Sequence, residues 1–172
     1  MKNTFLSIFL LLFFSSCAVA QNRTKQEELQ VNTVLDAWHK AAADAQFETY
    51  FDLMSPDAIF IGTDASENWN KINFKAYAKP HFDKGKAWSF TAIERHVFFD
   101  KTGKFAWFDE LLSTQMKVCR GSGVLVKTGG KWKIQQYVLS MTIPNENANE
   151  VIKIKTPLED IVINKLKVKS KQ

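Results

Sequence analysis

The hydrophobic period of this chain changes once along its length, and that change limits the possible folds more than any other feature. Between residues 25 and 54 apolar side chains recur at helical spacing. Val31, Val34, Leu35, Trp38, Ala42 and Ala45 form one stripe, and Phe47, Tyr50, Phe51 and Met54 form a second. Between residues 87 and 143 the pattern is aromatic and β-branched, divided by turn signals at Asp100-Lys101-Thr102-Gly103 and Gly129-Gly130. Helices first and hairpin-linked strands later predict an α+β domain in which helices cover one face of a sheet.

The spacing predicts a helix over 25–45, a second over 47–54 ended by Ser55-Pro56-Asp57, and a short strand over 58–62. A polar loop, 63–70, leads to a third helix over 71–83. Strands follow at 87–100, 104–112, 119–127 and 131–143, with 113–118 as a connection. Residues 146–172 form a tail. There Thr156-Pro157-Leu158-Glu159 reads as a capping box with Pro at the first helical position. Leu158, Ile161, Val162 and Leu166 then form a stripe flanked by lysines. Such a helix can pack on its own domain, or touch a partner or an anionic membrane.

At the other end, Lys2 precedes an apolar run from Phe5 to Phe14, and Ala18-Val19-Ala20 supplies a small-residue cleavage site. Residues 1–20 therefore read as an export leader, which places the mature domain in the periplasm or outside the cell. Ser15-Ser16-Cys17 offers the alternative of lipid attachment at Cys17, with Phe14 where such a motif carries Leu. Membrane attachment through the leader would follow only from that second route. With Cys17 removed or lipidated, Cys119 has no partner for an internal disulfide.

Charge excludes one function class. The chain carries a formal net charge of +5. Residues 21–150 hold 16 basic and 16 acidic side chains, whereas residues 151–172 hold six Lys against Glu159 and Asp160. A neutral body argues against a broad nucleic-acid-binding face.

The segments VLDAWHKAAADA (34–45), YFDLMSPDAIFIGTDASENW (50–69), KGKAWSF (84–90), AWFDELL (106–112), RGSGVL (120–125) and WKIQQYVLSMTIPN (132–145) occur in an order that resembles the SnoaL-like, secreted bacterial branch of the nuclear transport factor 2-like superfamily. The resemblance implies a cone over residues 21–145: a strongly curved antiparallel sheet wrapped around helices, with a pocket between them. It also implies homodimers through the outer sheet face. It does not select a reaction, because the superfamily holds isomerases, dehydratases, cyclases, hydrolases and non-catalytic binding or assembly domains.

No nucleophile elbow, metal-binding His-Glu motif, phosphate loop or paired Cys motif is present. His39, His81 and His96 are too scattered to suggest a metal site, and no cofactor is implied. Strand alternation puts Trp107, Asp109 and Leu111 on one face of their strand. It puts Trp132, Ile134, Gln136, Val138 and Ser140 on one face of theirs. The resemblance implies that the Trp132 face looks inward. If Trp107 shares it, Asp109 is the candidate catalytic acid or base, its pKa raised by desolvation. Gln136 and Ser140 would then orient a small apolar or amphipathic substrate, with Trp38, Trp69, Trp107 and Arg120 around it. The plainer reading pairs Asp109 with Arg120 or Arg95, and leaves Glu110 and Arg120 as partners on the outer face. In the loop, Asp64 is read as making an Asx turn and Glu67 as lying in the first turn of a short helix, in preference to a pair that rims the mouth of the cone and gates a ligand. Two functions stay open: a cofactor-independent acid/base enzyme, or a dimeric non-catalytic binding module.

Overall fold

The protein is described by a computed structural model over residues 24–169. The leader, its cleavage site, Cys17 and Lys171 lie outside the described residues. The chain divides into two compact units between Met141 and Thr142.

The first unit has the expected α+β architecture. Helix α1 covers residues 24–43 and buries Val31, Leu35, Trp38, Ala41 and Ala42. No Gly or Pro interrupts it. It stops where Ala45 turns left-handed (φ 54°) and Gln46 N–H reaches back to Ala41 O at 2.8 Å. Helix α2 (Phe47–Asp52) buries Tyr50 and Phe51. Strand β1 (Met54–Ile61) follows, then β2 (Asn68–Asn70), which the loop reading of 63–70 missed. Helix α3 (Lys71–Phe82) begins at the Asn70 side chain, which accepts from Asn73 N–H at 2.9 Å. It buries Phe74, Ala78 and Phe82.

Strands β3 (Phe90–Phe99), β4 (Phe105–Thr114), β5 (Lys117–Thr128) and β6 (Lys131–Met141) form an antiparallel meander. The six strands make one sheet in the order β2-β1-β6-β5-β4-β3. One pair departs from the antiparallel expectation: β1 runs parallel to β6. Register shifts interrupt β1–β6, β3–β4 and β5–β6, and such bulges bend a sheet.

The bulge in β6 corrects the expected faces. Ile134 pairs with Leu125 and Gln136 with Val124, so Gln135 is an extra residue. Side-chain parity reverses there. Trp132 and Ile134 are buried, but so are Tyr137 and Leu139, while Gln136, Val138 and Ser140 turn to the outer face. In β4 the buried set is Ala106, Phe108, Glu110 and Leu112. Trp107 and Asp109 therefore lie on the outer face, as does Arg120, which pairs in register with Leu111 and Ser140. Glu110 is inside, away from Arg120.

The second unit contains a short 3₁₀ turn (Asn145–Asn147) and helix α4 (Ala148–Lys169). The capping-box reading is not what the tail does. The helix begins eight residues before Thr156 and runs through Pro157. The Thr156 hydroxyl instead donates back to Ile152 O at 2.6 Å. Within α4 no residue is buried, and Ile154, Leu158, Ile161 and Leu166 are exposed.

Candidate functional site

Two features occupy the inner side of the sheet: a buried polar network and an aromatic cavity. The network centres on Glu110, which has no exposed surface. Its Oε1 lies 2.8 Å from His39 Nε2 and accepts from the Tyr137 hydroxyl at 3.1 Å. Its Oε2 accepts from Arg95 Nε at 2.8 Å, with Arg95 Nη2 2.7 Å away. Arg95 sits directly across the β3–β4 ladder from Glu110. Its Nη1 reaches α1, to Asp36 Oδ1 at 2.8 Å and Asn32 Oδ1 at 3.2 Å. Asn32, Asp36 and His39 are spaced i, i+4, i+7, so one polar edge of α1 is tied to the sheet beside its apolar stripe.

Burial alone would push the Glu110 carboxyl up. The hydrogen bond and charge from His39, with those from Arg95, outweigh it and hold the group below the ordinary glutamate value. An ionised carboxylate only accepts, so His39 Nε2 and the Tyr137 hydroxyl must both donate to it. Burial first, and then the Glu110 charge, raise the Tyr137 phenol well above its usual range, so it stays protonated. Each group in this network is committed to a protein partner. Its arrangement suits holding α1 against β3 and β4.

The second feature is a cavity of about 170 Å³. Its walls are Phe60, Phe90 and Leu139 from β1, β3 and β6, Phe74 and Tyr77 from α3, Trp69 from β2, and Trp88 and Met116 from adjoining segments. Gly62, Thr63, Glu67 and Gln115 add the polar part of the lining. Several rings are nearly parallel. Phe60 and Phe74 stack at 4.0 Å with 13° between planes, and Trp69 and Tyr77 at 4.4 Å with 23°. Phe60 and Phe90 also pack on the network, 5.7 Å from the Tyr137 ring and 5.9 Å from His39. The wall is therefore backed by a rigid, hydrogen-bonded layer.

The polar loop is built by its own short contacts. Asp64 Oδ1 accepts from Ser66 N–H at 2.8 Å, an Asx turn of the expected kind. Glu67 is not in a helix. Its backbone N–H donates to Asp64 O at 2.9 Å, its carbonyl accepts from Gly62 N–H at 2.9 Å, and its side chain lines the cavity.

The residues proposed from sequence do not assemble into one pocket. Trp69 lines the cavity. Trp38 is in the core, stacked on Tyr50 at 4.7 Å. Trp107, Asp109, Arg120, Gln136 and Ser140 all lie on the outer face. Asp109 is half exposed, with its Oδ1 3.2 Å from His96 Nδ1, so it is outside any enclosed site and cannot be the acid or base of the cavity. Sequence reasoning missed Tyr77, Trp88 and Met116 in the cavity, and the joining of His39, Arg95, Glu110 and Tyr137. The helical spacing of Asn32, Asp36 and His39 was the available signal for the network.

Comparison with known proteins follows the same line. A family model described as a SnoaL-like domain matches residues 31–144. Among solved structures, an NTF2-like protein of unknown function from Pseudomonas putida superposes with a TM-score of 0.60 at 14% identity, covering 72% of this chain and 92% of its own. A protein provisionally described as an NTF2-like dehydratase from Streptomyces avermitilis gives 0.60 at 15% identity, covering 70% and 99%. One provisionally described as a calcium/calmodulin-dependent protein kinase II association domain from Xanthomonas campestris gives 0.51 at 21%, covering 67% and 86%. At these identities the likeness concerns the fold alone. No curated protein matches the chain.

Proposed function

We propose, from the premise that the chain belongs to the SnoaL-like domain family, that its cone is a binding module for a small, flat aromatic molecule of one ring or two fused rings. The observation that carries this reading is the aromatic cavity of about 170 Å³. A drug-sized ligand needs roughly 300 Å³ or more, whereas an engineered apolar cavity of about 150 Å³ accepts benzene. Near-parallel rings in the wall favour a flat occupant that continues the stack. Binding is preferred to acid/base turnover because the lining offers only two titratable groups, Glu67 and Tyr77. The Tyr77 phenol is raised by burial and then by the Glu67 charge, which keeps it protonated.

The test is a titration with phenol, indole and benzyl alcohol, read by tryptophan emission and by thermal unfolding. Saturable quenching with a dissociation constant of about 0.1–1 mM is expected for at least one of them. It should come with a rise in melting temperature as ligand accumulates on the native state. Trp69→Ala should weaken the affinity. Absence of any saturable signal from the whole set would sink the reading.

A second proposal concerns the outer sheet face. Phe98 and Trp107 stack there at 5.9 Å while each stays nearly half exposed, and Phe105 is similarly open. Paired aromatics on a face that also carries Leu111, Val124 and Val138 suit the centre of a self-association surface. Wild-type protein is expected to run as a dimer in light scattering at micromolar concentration, and Trp107→Glu as a monomer of unchanged fold. A monomeric wild type would refute this part alone.

A further inference from the structure

We propose that the occupant of the mouth cavity is a flat organic cation, its charged nitrogen held by the Glu67 carboxylate and its ring by the aromatic wall. This rests on the reading of the cavity as a ligand site and adds the charge of the ligand.

Glu67 is the single charged side chain in the cavity lining. Among the described residues it takes part in no ion pair, whereas the buried Glu110 and the partly buried Glu27 each do. What its side chain receives is one long hydrogen bond, from Asp64 N–H to Oε2 at 3.2 Å. Gly62 leaves room for the carboxylate. A Cβ on Gly62 would collide with Oε2 and would lie 3.0 Å from Glu67 Cβ and Cδ, so the glycine lets the acid lie flat against the backbone at the cavity wall. The charge is felt across the site, since it contributes to raising the Tyr77 phenol.

A half-buried carboxylate with one weak donor is incompletely compensated, and an apolar surround makes a partner charge more valuable to it. A cation in the cavity would supply that charge. The π-faces of Trp and Tyr are negative, so the same walls that hold an apolar ring also attract a positive one. An anion would meet Glu67 as a like charge with no lysine or arginine in the lining to offset it. A neutral ring would leave the carboxylate to water at the mouth.

Three molecules of nearly the same shape and different charge test this: benzamidinium, benzamide and benzoate, titrated calorimetrically into the full chain at low salt. Benzamidinium should bind at least about tenfold more tightly than benzamide, a difference of the size a single charge-assisted contact supplies. Benzoate should be the weakest. Glu67→Gln should abolish the ratio between benzamidinium and benzamide. Gly62→Ala should reduce it, because the added methyl displaces the carboxylate without changing its charge. Added salt should lower the ratio for the wild type. Equal affinities, a preference for benzoate, or a ratio that survives Glu67→Gln overturns the cation proposal while leaving the cavity as a ligand site. If none of the three binds, and phenol, indole and benzyl alcohol also fail, both readings fall together.

Discussion

Glu110→Ala is expected to cost the fold about 3–5 kcal/mol, the usual penalty for removing one partner of a buried ion pair. Against a total stability of roughly 5–15 kcal/mol, that is enough to leave a marginal protein. The carboxylate has no exposed surface and serves three donors, His39, Arg95 and Tyr137. Its loss strands the Arg95 guanidinium, whose side chain is only 8% exposed, with Asp36 as its remaining acidic partner. Urea unfolding followed by circular dichroism measures the difference. A midpoint within a few tenths of a molar of wild type would show that the network is dispensable. The same residue sets an acid limit. Its folded pKa is depressed from 4.5, so its ionisation contributes stability that is complete above that value. The contribution is lost as pH falls through the lower folded value. Wild type should therefore lose stability steeply in that acid range. Glu110→Gln should be less stable at neutral pH and lose less on acidification.

The second large effect is steric and comes from a glycine. Gly121 pairs with Glu110 on one side and with Leu139 on the other, on the inner face of β5. A Cβ there would lie 2.8 Å from Glu110 Oε1 and 2.9 Å from Tyr137 Cζ, and closer still to the Tyr137 hydroxyl. Gly121→Ala must displace one of the two groups, with an overpacking cost of about 1–3 kcal/mol. Breaking the Tyr137–Glu110 hydrogen bond adds roughly 1.5–3 kcal/mol if the ring moves. The melting temperature should fall by about 2–4 °C for each kcal/mol. Combining Gly121→Ala with Tyr137→Phe separates this from a generic β5 defect. The two changes should be strongly non-additive, because the phenylalanine removes the atom in worst conflict. Additive losses would place the cost elsewhere in the strand.

Much of the scaffold is visible in local pattern. The α1 stripe and the Gly129-Gly130 hairpin each depend on residues close in sequence and form where the spacing puts them, whereas the Phe47–Met54 stripe is helical only as far as Asp52, and Met54 opens β1. Strand β2 is not visible in this way, because three residues, Asn68–Asn70, carry no period. Nor is the start of α4. The Thr156-Pro157 signal describes a helix end that would form in isolation. Here the helix continues through it, and the threonine hydroxyl takes the carbonyl of Ile152.

The site is less legible, and the reason is parity. Alternation in β4 divides Trp107, Asp109 and Leu111 from Phe108, Glu110 and Leu112 but does not say which set is inside, since both contain a large aromatic and an acid. Following the Trp132 face along β6 gives the wrong answer after Gln135, because one inserted residue turns every later side chain over. Asp109 depended on Trp107 sharing the face of Trp132, and Trp107 instead lies on the outer face, which leaves Asp109 outside and Glu110 in the core. Glu67 and Asp64, in one short loop, took different roles, one at the cavity wall and one in the turn.

By itself, the amino-acid sequence determined the α+β class, the order of the elements apart from β2 and the neutrality of the body. These follow from periodicity, turn chemistry and composition, which act over a few residues at a time. Tertiary structure alone decided which acid is buried, which aromatics line the cavity and which face the sheet exposes. Those outcomes depend on register between strands distant in sequence, where a single bulge exchanges the inside for the outside.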